Sequence, residues 1–352
     1  MILLPTATPV LECVPNFSEG RDPKIINAIA ASIRQVSGQK LLHVDASPAA
    51  NRTVMTFAGA PDAVCEAAFQ AIRKAAELID MRKQGGVHPR IGATDVCPLV
   101  PLANMTMEAA DTFAQQLGAR IGEQLGIPVY LYEYSQKQKY RRSLPSIRKG
   151  EYEGFAEKMK MPEWAPDFGP REFTPAAGAT VLGARDLLVA FNISLDTEDV
   201  ALAQNIAAQL RSSGRLVPED GRAVRQPGLL KKTRAIGWYM ADYGQAQVSF
   251  NLLDYRITSP LTAFEACRQL ALQEGVGIAG SELIGLMPEA CLLEAGSFSF
   301  LSKGQPVPEA KALLLEAGSH YLMLDRLKPF SVQEKILEAA WDSAGNVEPL
   351  NG

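Results

Sequence analysis

The sequence predicts an α+β (α/β) protein of two subdomains, each a mixed or antiparallel sheet covered by helices and built around ferredoxin-like β-α-β-β-α-β elements. Three observations carry this. Short β-rich runs alternate with amphipathic helical stretches along most of the chain. The second half reads in the order β-α-β-β-α-β, and the first half begins the same way with one further helix and strand. A proline-dense stretch from Met161 separates them, where neither a central strand nor a helix can form. At 352 residues the chain also exceeds the usual size of one domain.

In the first half, residues 12–17 read as a strand, and a helix follows over 23–36, where Pro23 suits a first helical turn. Residues 40–45 and 53–57 are β-rich and flank the loop Ser47-Pro48-Ala49-Ala50-Asn51. Val64, Ala67, Ala68, Ala71, Ile72, Ala75 and Leu78 recur at helical spacing and predict a helix over 62–80. A strand over 94–99, a helix over 107–126 and a strand over 128–134 follow. Residues 161–178 are a linker or an ordered loop, and Trp164, Phe168 and Phe173 favour the loop.

In the second half, a buried strand over 187–195 leads into an Asp-capped helix over 196–210. A hairpin over 235–240 and 246–253 turns at Asp242-Tyr243-Gly244. A helix over 260–272 and a last strand over 282–287 complete the element, and helices are expected from about 305. The boundaries are thus placed at 1–180, 181–304 and, for a helical C-terminal extension, 305–352. Gly275-Val276-Gly277-Ile278-Ala279-Gly280 fits a dinucleotide fingerprint, but here a helix precedes and a strand follows, the reverse of what that motif needs. Its glycines are expected to end the helix.

Composition narrows the function. The net charge of −4, without any Lys/Arg block, argues against a nucleic-acid partner. The longest apolar runs are too short to span a bilayer, so no membrane partner is expected. The five cysteines are scattered with no C-x-x-C pair, and the start lacks a basic, signal-like region. Together these predict reduced thiols, a cytoplasmic location, no zinc site and no other metal.

The densest chemistry lies in Gly85-Gly86-Val87-His88-Pro89-Arg90-Ile91-Gly92-Ala93-Thr94-Asp95-Val96-Cys97-Pro98. Pro89 pushes His88 out of the helical region, and an imidazole is the natural group for proton transfer near neutral pH. An exposed turn is the competing reading. His43 and His320 fall in a strand and a helical segment, where packing or surface roles are commoner.

Glu12-Cys13-Val14-Pro15-Asn16-Phe17-Ser18-Glu19-Gly20 resembles the opening signature of the glutamate formimidoyltransferase (formiminotransferase) family. Val44-Asp45-Ala46, Asn51-Arg52-Thr53-Val54, Leu78-Ile79-Asp80-Met81, the His88 block, Trp164-Ala165-Pro166-Asp167-Phe168-Gly169-Pro170, Gln226-Pro227-Gly228 and Asn251-Leu252-Leu253-Asp254 continue it. These blocks are collinear over roughly residues 11–300. The resemblance implies two α/β subdomains around a folate tunnel, a homodimer, and transfer of a formimino group between 5-formiminotetrahydrofolate and L-glutamate. Tetrahydrofolate would be the one-carbon carrier, with no metal. It places the catalytic histidine on His88 and an assisting acid on Asp45. The folate-contacting segment falls on Gly169, Pro170, Arg171, Glu172, Phe173, Thr174, Pro175, Ala176, Ala177 and Gly178.

The chemistry of the residues agrees with these roles. Transfer passes through a tetrahedral carbon bearing three nitrogens; the incoming ammonium must lose a proton and the folate nitrogen must gain one. A single imidazole serves both needs, and a carboxylate such as Asp45 can orient it. Asp45 also fits a plain strand-ending turn. Guanidinium groups are expected on the substrate carboxylates, with Arg90 the first candidate and Arg52 the second. Lys231, Lys232 and Arg225 read as a solvated basic face.

The chain departs from the family pattern at His43 and at Gly86-Val87, positions with acidic residues in some relatives. It also departs in a longer segment at 214–226 and in the tail after 305. Nothing in it resembles the fused cyclodeaminase domain of the mammalian enzyme, so a monofunctional form that releases its folate product is expected. A formyltransferase on the same scaffold and a non-catalytic folate-binding protein are the alternatives.

Overall fold

Pro15 splits the first strand in two without leaving the sheet. It has no N–H to give, yet its carbonyl still accepts from Met55 N at 3.1 Å. In the computed structural model, which describes residues 6–86, 88–219 and 222–343, β1 (Val10–Cys13) and β2 (Asn16–Phe17) are therefore two halves of one strand. Then come α1 (Pro23–Arg34), β3 (Gln39–Ser47), β4 (Arg52–Gly59), α2 (Pro61–Leu78), β5 (Thr94–Ala103), α3 (Met107–Leu125) and β6 (Val129–Leu131). Two short helices, α4 (Leu144–Arg148) and α5 (Glu151–Met159), precede β7 (Thr180–Ala184).

The sheet of this unit runs β3-β4-(β1/β2)-β5-β7-β6, antiparallel up to β5 and parallel beyond it. Its first four positions have the ferredoxin-like order. The helix starts follow the chain: Asp22 accepts from Lys24 N and Thr106 from Ala109 N, and Gly126 ends α3 at a φ of 63°. One sheet face packs on α1, α2 and α3 through Phe17, Met55, Phe57, Ile29 and Ile72, all essentially inaccessible to solvent. Each such side chain contributes roughly 1.5–3 kcal/mol through burial. The opposite face of β5, β7 and β6 is covered by α4 and α5, through Tyr130, Ile147, Phe155 and Val181.

Two bulges decide what stands on the rest of that second face. In β3, Leu41 pairs with Phe57 but His43 pairs with Thr56, so Leu42 is an extra residue. Side chains alternate along a strand, so the insertion moves His43, Asp45 and Ser47 off the core face. In β5, Phe17 pairs with Thr94 but Asn16 pairs with Val96, which leaves Asp95 as the extra residue.

The second compact unit spans Leu187–Ala340, and the first runs to Asp186. The border set at 180 therefore cuts β7, which pairs with β5 and β6. The second unit comprises β8 (Val189–Leu195), α6 (Val200–Leu210), an exposed hairpin β9 (Arg215–Glu219) and β10 (Arg222–Gln226), β11 (Thr233–Met240), β12 (Gln245–Leu252), α7 (Pro260–Gln273) and β13 (Ile278–Ile284). The sheet order β11-β12-β8-β13, antiparallel throughout, is the full ferredoxin-like arrangement. Gly275, at a φ of 73°, turns the chain out of α7 into β13, as the order of elements around the glycine-rich motif requires.

Several elements differ from expectation. The strand expected over 128–134 stops at Leu131, and Glu133–Ser135 winds into a 3₁₀ turn. The last strand lies at Ile278–Ile284, N-terminal to the stretch expected at 282–287, and a helix α8 (Glu289–Leu301) follows. Periodicity hides α8 because apolar residues surround it. The chain beyond 305 forms α9 (Lys311–Tyr321), α10 (Val332–Lys335) and α11 (Leu337–Ser343). Leu315, Leu322, Leu324 and Ile336 share one core with β8 and α6, so the helices up to Ala340 belong to the second unit, whereas Trp341–Ser343 group with the first. At Gly296 of α8 an added Cβ would lie 2.0 Å from Leu314 O, so only glycine lets α9 approach this closely. Asp220, Gly221 and the end from residue 344 lie outside the described residues.

Candidate active site

Three loops of the first unit converge where β2, β3, β4 and β5 begin or end. Ser18 of the first accepts no water-facing role: its Oγ donates to Gly92 O at 2.7 Å, and its N–H bonds Ala93 O at 2.9 Å. Asn51 of the second accepts from Gly20 N and donates to Gly85 O, both at 3.0 Å. Its left-handed φ of 48° is one that asparagine tolerates. Gln84 of the third loop donates to Glu19 Oε2 at 3.1 Å, while Glu19 Oε1 accepts from the backbone of Arg21 and Asp22.

This frame carries His88; Val87 before it lies outside the described residues. The ring Nδ1 is 2.8 Å from Pro89 O, and a carbonyl only accepts, so this contact favours the tautomer with the proton on Nδ1. Nε2 is left as the lone-pair nitrogen. Arg52 Nη1 lies between the two ring nitrogens, 2.5 Å from Nδ1 and 2.9 Å from Nε2. Its Nη2 donates to Asn16 Oδ1. Burial first, then the positive charges of Arg52 and Arg148, hold the His88 pKa well below its ordinary value, and the Pro89 carbonyl offsets this only in part. His88 is a neutral imidazole at pH 7.

Asp95, set apart by its bulge and buried at 2% exposure, organises the surrounding cations. It accepts from Ile91 N at 3.1 Å and from Arg148 Nε at 3.2 Å, is joined by Arg148 Nη2, and stands 3.6 Å from Arg52. Desolvation and the neighbouring Arg148 push the Arg52 guanidinium down to about 9 against the pull of Asp95. Two guanidinium groups thus share one buried carboxylate beside the imidazole.

The expected residues do not all gather here. Asp45 stands on the same sheet face as Arg52, opposite Val54, and pairs with His43 at 3.6 Å. Arg90 lies next to His88 in sequence, but its guanidinium is taken by Glu153 at 2.7 Å, Glu151 at 3.4 Å and Gln84 O at 3.0 Å. It fastens the loop to the start of α5. His320 lies in the second unit, more than half exposed and paired with Asp325 at 3.3 Å.

Residues 169–178 form an ordered strap. Phe173 packs on Tyr152 and Phe155, and Tyr152 donates to Pro175 O at 2.6 Å. Ala176 O accepts from Met81 N and Ala177 O from Ala93 N, so the strap grips both sides of the His88 loop. Gly92 lies against it so closely that a Cβ would come 2.8 Å from Ala177 O, and 2.2 Å from the O of Ala179 just beyond it.

Sequence reasoning passed over Asp95 and Arg148. A carboxylate within an otherwise apolar strand was a usable signal for Asp95. Arg148 had none, because only the packing of α4 on the sheet brings it there.

Family models match both units: residues 10–185 fit the formiminotransferase domain, N-terminal subdomain, and residues 190–341 the formiminotransferase domain. The chain belongs to the formiminotransferase family. Among relatives, the glutamate formimidoyltransferase of Streptococcus pyogenes serotype M1 is 40% identical over 82% of this chain and 92% of its own length. That of Thermoplasma acidophilum is 39% identical over 82% and 91%. The formimidoyltransferase-cyclodeaminase of Rattus norvegicus is 44% identical over 97% of this chain, which spans only 61% of that protein's length. In formiminotransferase terms the His88 site lies wholly within the N-terminal subdomain match. Among the described residues no helix is long and apolar enough to cross a membrane.

Proposed function

We propose that this formiminotransferase moves a formimino group between 5-formiminotetrahydrofolate and L-glutamate, with His88 as the general acid and base. The observation that carries the reading is the buried, neutral imidazole of His88, with the Arg52 guanidinium against its ring and Arg148 close enough to act on its charge. The likeness to two glutamate formimidoyltransferases along nearly their full length supports it. In this mechanism Nε2 takes a proton from the glutamate ammonium as its nitrogen attacks the formimino carbon. The resulting imidazolium, destabilised by Arg52 and Arg148, then returns the proton to the departing folate nitrogen. Arg52 must first release Nε2, and an arriving substrate carboxylate provides the stronger acceptor that draws it away.

In the same reading Asp45, on the same face, supports the cationic ring, and residues 169–178 meet the folate. The hydrogen bonds of that strap to Met81 and Ala93 support its assignment. A homodimer is part of the proposal and is testable by sedimentation. The deciding experiment assays the purified protein with tetrahydrofolate and either N-formimino-L-glutamate or N-formyl-L-glutamate. Transfer from the formimino donor is expected. Faster transfer from the formyl donor makes this a formyltransferase, and folate binding without transfer from either removes the catalytic reading.

A further inference from the structure

We infer that Arg148 is a substrate-binding residue, one that completes with Arg52 a carboxylate site for the amino-acid substrate. This rests on the proposed transfer reaction and deepens it. A guanidinium has two edges able to grip a carboxylate side by side. In Arg148 the Nε–Nη2 edge is spent on Asp95, which accepts at both oxygens. Nη1 has no protein acceptor among the described residues, so the Nη1–Nη2 edge is left for a ligand. Arg90 and Arg141 contrast with it. The terminal nitrogens of Arg90 are taken by Glu151, Glu153 and Gln84 O, and those of Arg141 by Asp167, Glu163 O and Ala165 O.

The electrostatics point the same way. Arg52 and Arg148 share Asp95 and flank an imidazole that is itself uncharged, so these four side chains together carry more positive than negative charge while largely shielded from water. Such an excess favours an anion. Arg148 is also held in place for the purpose. Lys158 Nζ donates to Ser146 O at 2.9 Å, Ile147 O at 2.6 Å and Lys149 O at 3.1 Å, closing the end of α4 on either side of Arg148. Trp164 covers this ammonium at 3.8 Å. A carboxylate could belong to the amino acid or to the glutamate tail of the folate. The amino acid is favoured because the pair adjoins the proton-transferring imidazole, where the reacting nitrogen must lie.

The test is steady-state kinetics of Arg148→Gln and Arg148→Lys, beside calorimetric titration of L-glutamate into protein with tetrahydrofolate. Losing a charge-assisted contact raises the Michaelis constant for N-formimino-L-glutamate roughly 10- to 100-fold in Arg148→Gln and less in Arg148→Lys, with the tetrahydrofolate constant little changed. N-formimino-L-glutamine and its α-amide isomer supply the matching probe. One of them is poor for the wild type yet no worse for Arg148→Gln than the parent substrate. A rise confined to the folate constant assigns the carboxylate to the folate tail and overturns the inference. So does a shifted pH profile without any change in glutamate binding, which reduces Arg148 to a modulator of His88. If the wild type transfers from neither donor, the reaction assignment fails separately, and L-glutamate titration still decides whether Arg148 binds the carboxylate.

Discussion

Arg52 Nη1 lies 2.5 Å from Nδ1 and 2.9 Å from Nε2 of His88, so the imidazole that would take a proton is crowded by a cation. The contact keeps the imidazole uncharged and makes its release depend on another acceptor.

His88→Ala is expected to retain tetrahydrofolate binding and to lose transfer by at least ~10²-fold, the usual worth of a positioned acid–base group. Equilibrium binding and single-turnover rates on the same preparation check both halves. Near wild-type turnover would remove His88 from the mechanism.

The pH profile follows from the direction of the His88 shift. With its pKa below the ordinary 6.5, the base stays competent below that pH, and the acid limb of kcat/KM is expected there. Arg52→Gln removes one of the charges that lower it and moves the limb upward. A limb that stays put on this substitution would mean another group titrates.

Arg90→Ala separates anchoring from substrate binding. Because Arg90 holds Gln84 O and Glu153, its loss is expected to lower kcat with either substrate varied, without a selective rise in the glutamate constant. A glutamate constant raised alone would restore Arg90 as the carboxylate ligand.

Glu12 predicts a stability effect of opposite pH sense. Burial on β1 pushes its carboxyl up to about 7 against the pull of Arg185. A folded-state pKa above the ordinary 4.5 gives a contribution that is intact below 4.5 and lost as pH rises through about 7. Glu12→Gln is therefore expected to gain on the wild type between pH 5 and pH 8, by on the order of 3 kcal/mol. Urea unfolding at the two pH values measures the gain; an unchanged gap would refute it.

Lys158→Met leaves the carbonyls of Ser146, Ile147 and Lys149 without their donor. Roughly 1–3 kcal/mol of stability should go with it, read as a lower thermal midpoint.

Much of this was legible in the chain. Local rules name α1, α2, α3, α6 and α7 because their apolar spacing and their Asp, Thr, Ser or Pro starts agree. They also place His88 on an extended, proline-backed loop. They missed β7, a five-residue strand whose partners lie far away in sequence, and α8, whose all-round apolar surface has no period. They ranked Arg90 above Arg52 because adjacency in sequence is all that a linear reading can weigh.

The sequence by itself determined the two ferredoxin-like elements, the family resemblance and the histidine, since each is written in short-range pattern or in collinear motifs. Only the tertiary structure decided which charged groups meet that histidine. The bulge at Leu42 turns His43, Asp45 and Ser47 away from the core, and the bulge at Asp95 frees its carboxylate to bind Arg148 and face Arg52. A one-residue insertion reverses the face of every side chain beyond it. Strand pairing, not the chain read alone, reveals where it falls.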